Sequence, residues 1–126
     1  MHVFEYAVVR VVPRVEREEF INVGVILFCA KLKYLHVLFY VDENRLTAFA
    51  PGLDLAEIKA NLNAFERICL AEPNSGAIGK LDAASRFRWL TATRSTVLQS
   101  SKVHPGLCLN AAETLLKIYQ QLILPA

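Results

Sequence analysis

Three runs near the start of the chain constrain the fold more than any other feature. Phe4 to Val12, Phe20 to Cys29 and Tyr34 to Val41 are dense in β-branched and aromatic residues, and only short polar links separate them. Such runs read as strands, and consecutive strands joined by short links form an antiparallel meander. Side chains alternate across a strand, so each run divides into two faces. One set comprises Ala7, Val9, Val11, Ile21, Val23, Val25, Leu27, Leu35, Val37, Phe39 and Val41 and contains no polar residue, so helices must cover it. The other set collects Tyr6, Arg10, Asn22, His36 and Tyr40. A first hairpin centred near Glu16 places Arg10 opposite Asn22. A second centred near Lys31 places Asn22 opposite Tyr40 and Ile26 opposite His36.

Helix signals follow the strands. Asp42 caps a short helix that Pro51-Gly52 ends. Asp54 to Glu57 forms a capping box ahead of an apolar stripe of Leu55, Ile58, Leu62, Phe65 and Cys69. Glu72 to Gly76 breaks that helix, and Ile78, Leu81, Ala84, Phe87 and Leu90 mark another, ending near Thr91. Thr93-Arg94-Ser95 is a joint, Thr96 to Ser100 a short strand, and His104-Pro105-Gly106 a turn. A final helix starts at Asn110 and carries Leu115, Leu116, Ile118, Tyr119, Leu122 and Ile123. This order predicts one α+β domain: an antiparallel sheet, made of a three-strand meander plus one later strand, with helices packed on one face.

Composition fits a single domain of 126 residues, 54% hydrophobic and 21% charged. A net charge of +2 argues against nucleic acid as the partner. The longest uncharged apolar run, Val23 to Ala30, is far below the roughly 20 residues of a membrane span. Three scattered cysteines in apolar context, Cys29, Cys69 and Cys108, read as reduced thiols of a cytoplasmic protein.

The chemically unusual stretch is Arg86 to Gly106, with three arginines, Trp89, a Ser/Thr-rich run and the His-Pro-Gly element. A mid-strand arginine such as Arg10 needs a partner: a glutamate (Glu5, Glu18 or Glu19) or a bound anion, which a guanidinium grips with a planar fork. Arg10, Asn22, Tyr40, Arg94, Ser95 and His104 are therefore the candidate anion or partner site, with Arg10, Arg94 and His104 expected to converge. Arg86, Trp89 and Arg94 could serve nucleic acid by stacking, although Arg86 and Arg88 lie about 200° apart on a helix. Ser95 or Ser100 with His104 lacks the glycine elbow and orienting carboxylate of a hydrolase. No metal-ligand spacing and no phosphate-cradling glycine motif is present, so no catalytic, cofactor or metal residue is assigned.

Two stretches carry a family resemblance: Tyr6-Ala7-Val8-Val9-Arg10 through Glu19-Phe20-Ile21-Asn22-Val23-Gly24-Val25-Ile26-Leu27-Phe28, and Arg86-Phe87-Arg88-Trp89-Leu90 through Arg94-Ser95 to His104-Pro105-Gly106. Together they resemble a bacterial family, domain of unknown function 3037, over nearly the whole chain. The resemblance implies a small cytoplasmic protein and supplies no activity. Such proteins are often encoded beside kinases resembling the HipA toxin kinases, which makes a HipA-like kinase a candidate partner. The leading expectation is thus a non-enzymatic binding or regulatory module with a protein partner, with homo-oligomerisation left open. The alternative is a small enzyme or phosphate/nucleotide binder built on an Arg/Ser/His anion site.

Overall fold

The computed structural model describes residues 1–92, 94 and 96–125. Strands β1 (His2–Val11), β2 (Ile21–Cys29) and β3 (Tyr34–Phe39) form the antiparallel meander, with β1 paired to β2 and β2 to β3. Two shorter strands, β4 (Leu98–Ser100) and β5 (His104–Cys108), lie one after the other along the opposite edge of β1. The result is a five-stranded antiparallel sheet with β3 at one edge and β4 and β5 sharing the other.

Ser101 bridges the gap between β4 and β5. Its N–H donates to the Val8 carbonyl at 2.8 Å, and its Oγ accepts the Val8 N–H at 2.8 Å. A side-chain hydroxyl thus stands in for the strand carbonyl that the break removes. Ser101 is the one polar residue buried among the described residues. These bonds also show that the even-numbered peptide groups of β1 face β4 and β5.

That polarity explains why His104-Pro105-Gly106 is strand and not the expected turn. His104 and Gly106 pair with Tyr6 and Phe4, while Pro105 alternates with them and directs its N-H-less nitrogen away from β1. Proline is tolerated in a strand at such an outward position. Gly106 is required for a different reason: a Cβ there would lie 2.5 Å from the Phe4 ring.

Among the described residues four α-helices pack on the sheet, all capped from the residue before them. Asp42 Oδ1 accepts from Arg45 N ahead of α1 (Glu43–Phe49), Asp54 from Glu57 N ahead of α2 (Leu55–Cys69), Asp82 from Ser85 N ahead of α3 (Ala83–Leu90), and Asn110 from Glu113 N ahead of α4 (Ala111–Leu122). Ile78 and Leu81 fall before Asp82, in and just after a separate 3-10 turn at Ile78–Lys80, so the third helix is shorter than its stripe implied.

The class is α+β as the sequence indicates, but the helices occupy both faces of the sheet. Helices α1, α2 and α3 cover Ala7, Val9, Val11, Ile21, Val23, Ile26, Phe28, Leu35 and Val37 with Leu46, Ile58, Leu62, Phe65, Cys69, Phe87 and Leu90. On the reverse face α4 covers Phe4, Val8, Val25, Leu27, Cys29 and Cys108 with Ala111, Leu115 and Ile123.

A β-bulge explains the second layer. Val9 pairs with Gly24, but the next residue, Arg10, pairs with Asn22, so Val23 is extra in β2. Beyond that point alternation changes sign. Ile26 and Phe28 turn toward α1–α3, whereas Val25 and Leu27, expected beside them, turn toward α4. The second face thereby becomes apolar and needs a cover of its own. The close pairing depends on Gly24, where a Cβ would meet the Phe39 ring at 2.4 Å. Arg10 is opposite Asn22 as expected, while the second hairpin is displaced by one residue, pairing Ile26 with Val37 and Leu27 with His36.

Candidate functional site

Arg10 sits on the α4 face of β1, between Asn22 on β2 and Gln99 on β4. Its guanidinium carbon lies 4.0 Å from the centroid of the Phe20 ring, a cation–π contact. Burial draws its pKa below the ordinary arginine value. None of the glutamates considered from sequence pairs with it among the described residues: Glu5 meets Arg88 at 3.4 Å, and Glu19 meets Arg17 at 2.5 Å. The Arg10 Nε and the Asn22 Oδ1 are both buried without a hydrogen-bond partner. A donor and an acceptor thus lie across one strand pair, each unsatisfied.

Asn22 continues into a recess of about 380 Å³ that it lines with Tyr40, Asp42, Arg45 and the end of α4, Leu122 to Pro125. Asn22 and Tyr40 therefore do come together, with Arg10 flanking them. His104 stands apart. Its ring is exposed and rests 5.2 Å from that of Tyr6. Tyr6 is four residues before Arg10 on β1, a separation of roughly 13 Å.

Arg94 belongs to the other side of the sheet. Its guanidinium carbon is 3.9 Å from the centroid of the Trp89 ring on α3, and it donates to the Trp89 carbonyl. The convergence of Arg10, Arg94 and His104 is not present. Ser95 and Thr93 lie outside the described residues. Ser100 directs its hydroxyl to the Ser101 carbonyl at 3.0 Å.

The remaining arginines of that stretch are likewise engaged separately. Arg86 donates to the Leu81 carbonyl at 2.5 Å, and Arg88 meets Glu5. All three cysteines are free and buried. Burial pushes the Cys69 thiol up to about 12 and raises Cys108, beside Cys29, as well. No helix is long and apolar enough to cross a membrane among the described residues.

A family model described as a protein of unknown function, DUF3037, matches residues 6–123. The chain belongs to the DUF3037 family. No curated protein and no solved structure matches it.

Two features of this DUF3037 chain escape a reading of the sequence. One is a groove beside the β1–β2 connection, formed by residues that meet only in the folded chain. The other is an apolar ladder at the end of the sheet. Val3 and Leu107 are direct partners across β1 and β5 and are 61% and 62% exposed. Met1 and Leu109, beyond the two strand ends, are 77% and 73% exposed. Val3 shares its face with Ala7 and Val9, the face under α1–α3. The Arg88–Glu5 contact joins α3 to the sheet two residues short of Val3. A signal existed in the alternation of Val3 with Ala7, but Leu107 could enter the pattern only once His104 to Cys108 was known to be a strand.

Proposed function

We propose that this protein is a non-enzymatic binding module of the cytoplasm that docks another protein through the uncovered end of its sheet. The apolar ladder of Met1, Val3, Leu107 and Leu109 carries the reading. Apolar residues scattered singly on a surface need no explanation, but a contiguous exposed set on a rigid strand pair is a mark of an interaction site. The outer edge of β5 adds the Pro105 carbonyl and the N–H and carbonyl of Leu107, so a partner segment would meet both apolar side chains and backbone hydrogen-bonding groups. The Arg/Ser/His anion site gains less support, because Arg94 stacks on Trp89, His104 on Tyr6, and the two belong to opposite sides of the sheet.

A HipA-like kinase is the candidate partner, on the gene association of the family. The test is co-expression of the chain with the neighbouring kinase and analytical size exclusion of the purified mixture. Co-elution is expected, and its loss in a Val3→Asp/Leu107→Asp variant whose circular dichroism and melting are unchanged. Undiminished co-elution of that variant would remove the ladder from the interface.

A further inference from the structure

The groove at the opposite end of β1 has no part in the docking surface just described. It has a volume of about 480 Å³ and lies between the β1–β2 connection and the α1–α2 connection. Pro13, Phe49 and Leu53 provide the apolar part of its lining, and Arg14, Arg17 and Glu19 the charged part. Its size falls within the range of small-molecule sites, roughly 300 to 1,000 Å³, and the mixture of apolar surface with a few polar groups is what such sites present.

The charges are unequal in availability. Glu19 accepts from Arg17 Nε at 2.5 Å, which neutralises both. Arg14 has no ion-pair partner among the described residues, so the groove keeps one uncompensated guanidinium beside apolar walls. The backbone between these side chains is also unusual. Glu18 closes the 3-10 turn Val15–Arg17 with φ of 55°, a left-handed conformation uncommon for a residue with a long side chain. Such conformations persist where the surroundings hold them, and they concentrate at ligand-binding sites.

We propose that this groove binds a small organic carboxylate with an apolar body. The Arg14 guanidinium receives the two carboxylate oxygens, a geometry its planar fork matches, and Phe49, Leu53 and Pro13 take the body out of water. A bare inorganic anion would leave the apolar lining unused, and a neutral apolar molecule would leave Arg14 unpaired.

The experiment is an amide-resolved NMR titration of the full chain with phenylacetate, in parallel with inorganic phosphate and benzyl alcohol. Saturable shifts are expected with phenylacetate, confined to residues 13–19 and 49–53, and binding at least about tenfold weaker in Arg14→Gln, the loss expected for one charge-assisted contact. Phe49→Ala weakens phenylacetate more than phosphate. Non-saturable shifts, equal binding by Arg14→Gln, or equal affinity for phosphate or for benzyl alcohol would each overturn the proposal. The Val3→Asp/Leu107→Asp variant keeps the site unaltered, so failure here and failure of the docking surface are read separately.

Discussion

Replacing Ser101 with alanine isolates a single buried hydrogen-bonding device. Its Oγ accepts the Val8 N–H at 2.8 Å and donates to the Lys102 carbonyl at 2.9 Å, in a position 7% exposed. Val8 is itself buried, so water cannot replace the lost acceptor. A buried donor left unsatisfied costs about 1–3 kcal/mol, and the loss of the second bond adds to it, so about 2–3 kcal/mol is expected. For a chain of 126 residues, with an unfolding entropy of about 2.1 cal/mol/K per residue, that lowers the melting temperature by roughly 8–11 °C. Urea titration is the direct assay. The midpoint should fall while the slope stays constant, because the surface exposed on unfolding hardly changes. Ser101→Thr, which retains the hydroxyl, should recover most of the loss. Ser100→Ala, whose hydroxyl reaches only the partly buried Ser101 carbonyl, should cost well under half as much. A Ser101→Ala protein within about 0.5 kcal/mol of the parent would refute the reasoning, since Val8 would then have another acceptor.

Two further outcomes follow from the two cores. Val25→Asp places an unpaired carboxylate under α4 at a fully buried position, a cost of several kcal/mol, roughly, and should abolish soluble expression; a soluble variant with unchanged melting would show that α4 does not seal that face. At pH 8 the native protein should resist thiol alkylation, because all three cysteines are buried and the Cys69 thiol, pushed up to about 12, supplies almost no reactive thiolate; in urea all three should react, and stoichiometric labelling of Cys69 in the native state would contradict its burial.

The sequence discloses local chemistry well and the sheet's exceptions poorly. Asp42, Asp54 and Asn110 cap helices where their spacing says they do, since a cap is a contact within three residues, whereas Asp82, which the Ile78 stripe puts inside a helix, caps the third one. The pairing of Arg10 with Asn22 follows as readily, because hairpin geometry is nearly as local. The bulge at Val23 leaves no comparable trace. Val23, Val25, Ile26 and Leu27 are all apolar, so alternation along β2 cannot reveal the point where it reverses. Gly24 was the hint, and its reason, the Phe39 ring on β3, lies 15 positions away. His104-Pro105-Gly106 carries real turn chemistry, which the edge position overrides by turning the proline nitrogen outward. For the candidate site, Asn22 and Tyr40 do line one recess, but strand parity reaches that result only because the bulge in β2 and the one-residue displacement of the second hairpin cancel. The expected convergence with Arg94 was not met because Trp89, five residues earlier on α3, holds that side chain against its own helix.

The extra residue in β2 also divides the chain by its tolerance of changes in length. Between Arg14 and Glu19 the backbone is exposed connection, and a residue gained or lost there can be taken up without altering which side chains enter the interior. Inside β2 the outcome depends on which residue is lost. Deleting Val23 removes only the residue that has no partner of its own on β1: Asn22 stays opposite Arg10, Gly24 stays opposite Val9, and every other side chain keeps its face, at the cost of one buried valine and of the carbonyl that accepts the Tyr40 N–H. Deleting a paired residue such as Ile26 is of a different kind, because it turns one part of the strand over and exchanges the side chains that enter the two cores. A length variant of this chain that still folds should therefore carry its change in the connection or at the bulge, and not in the paired part of the strand.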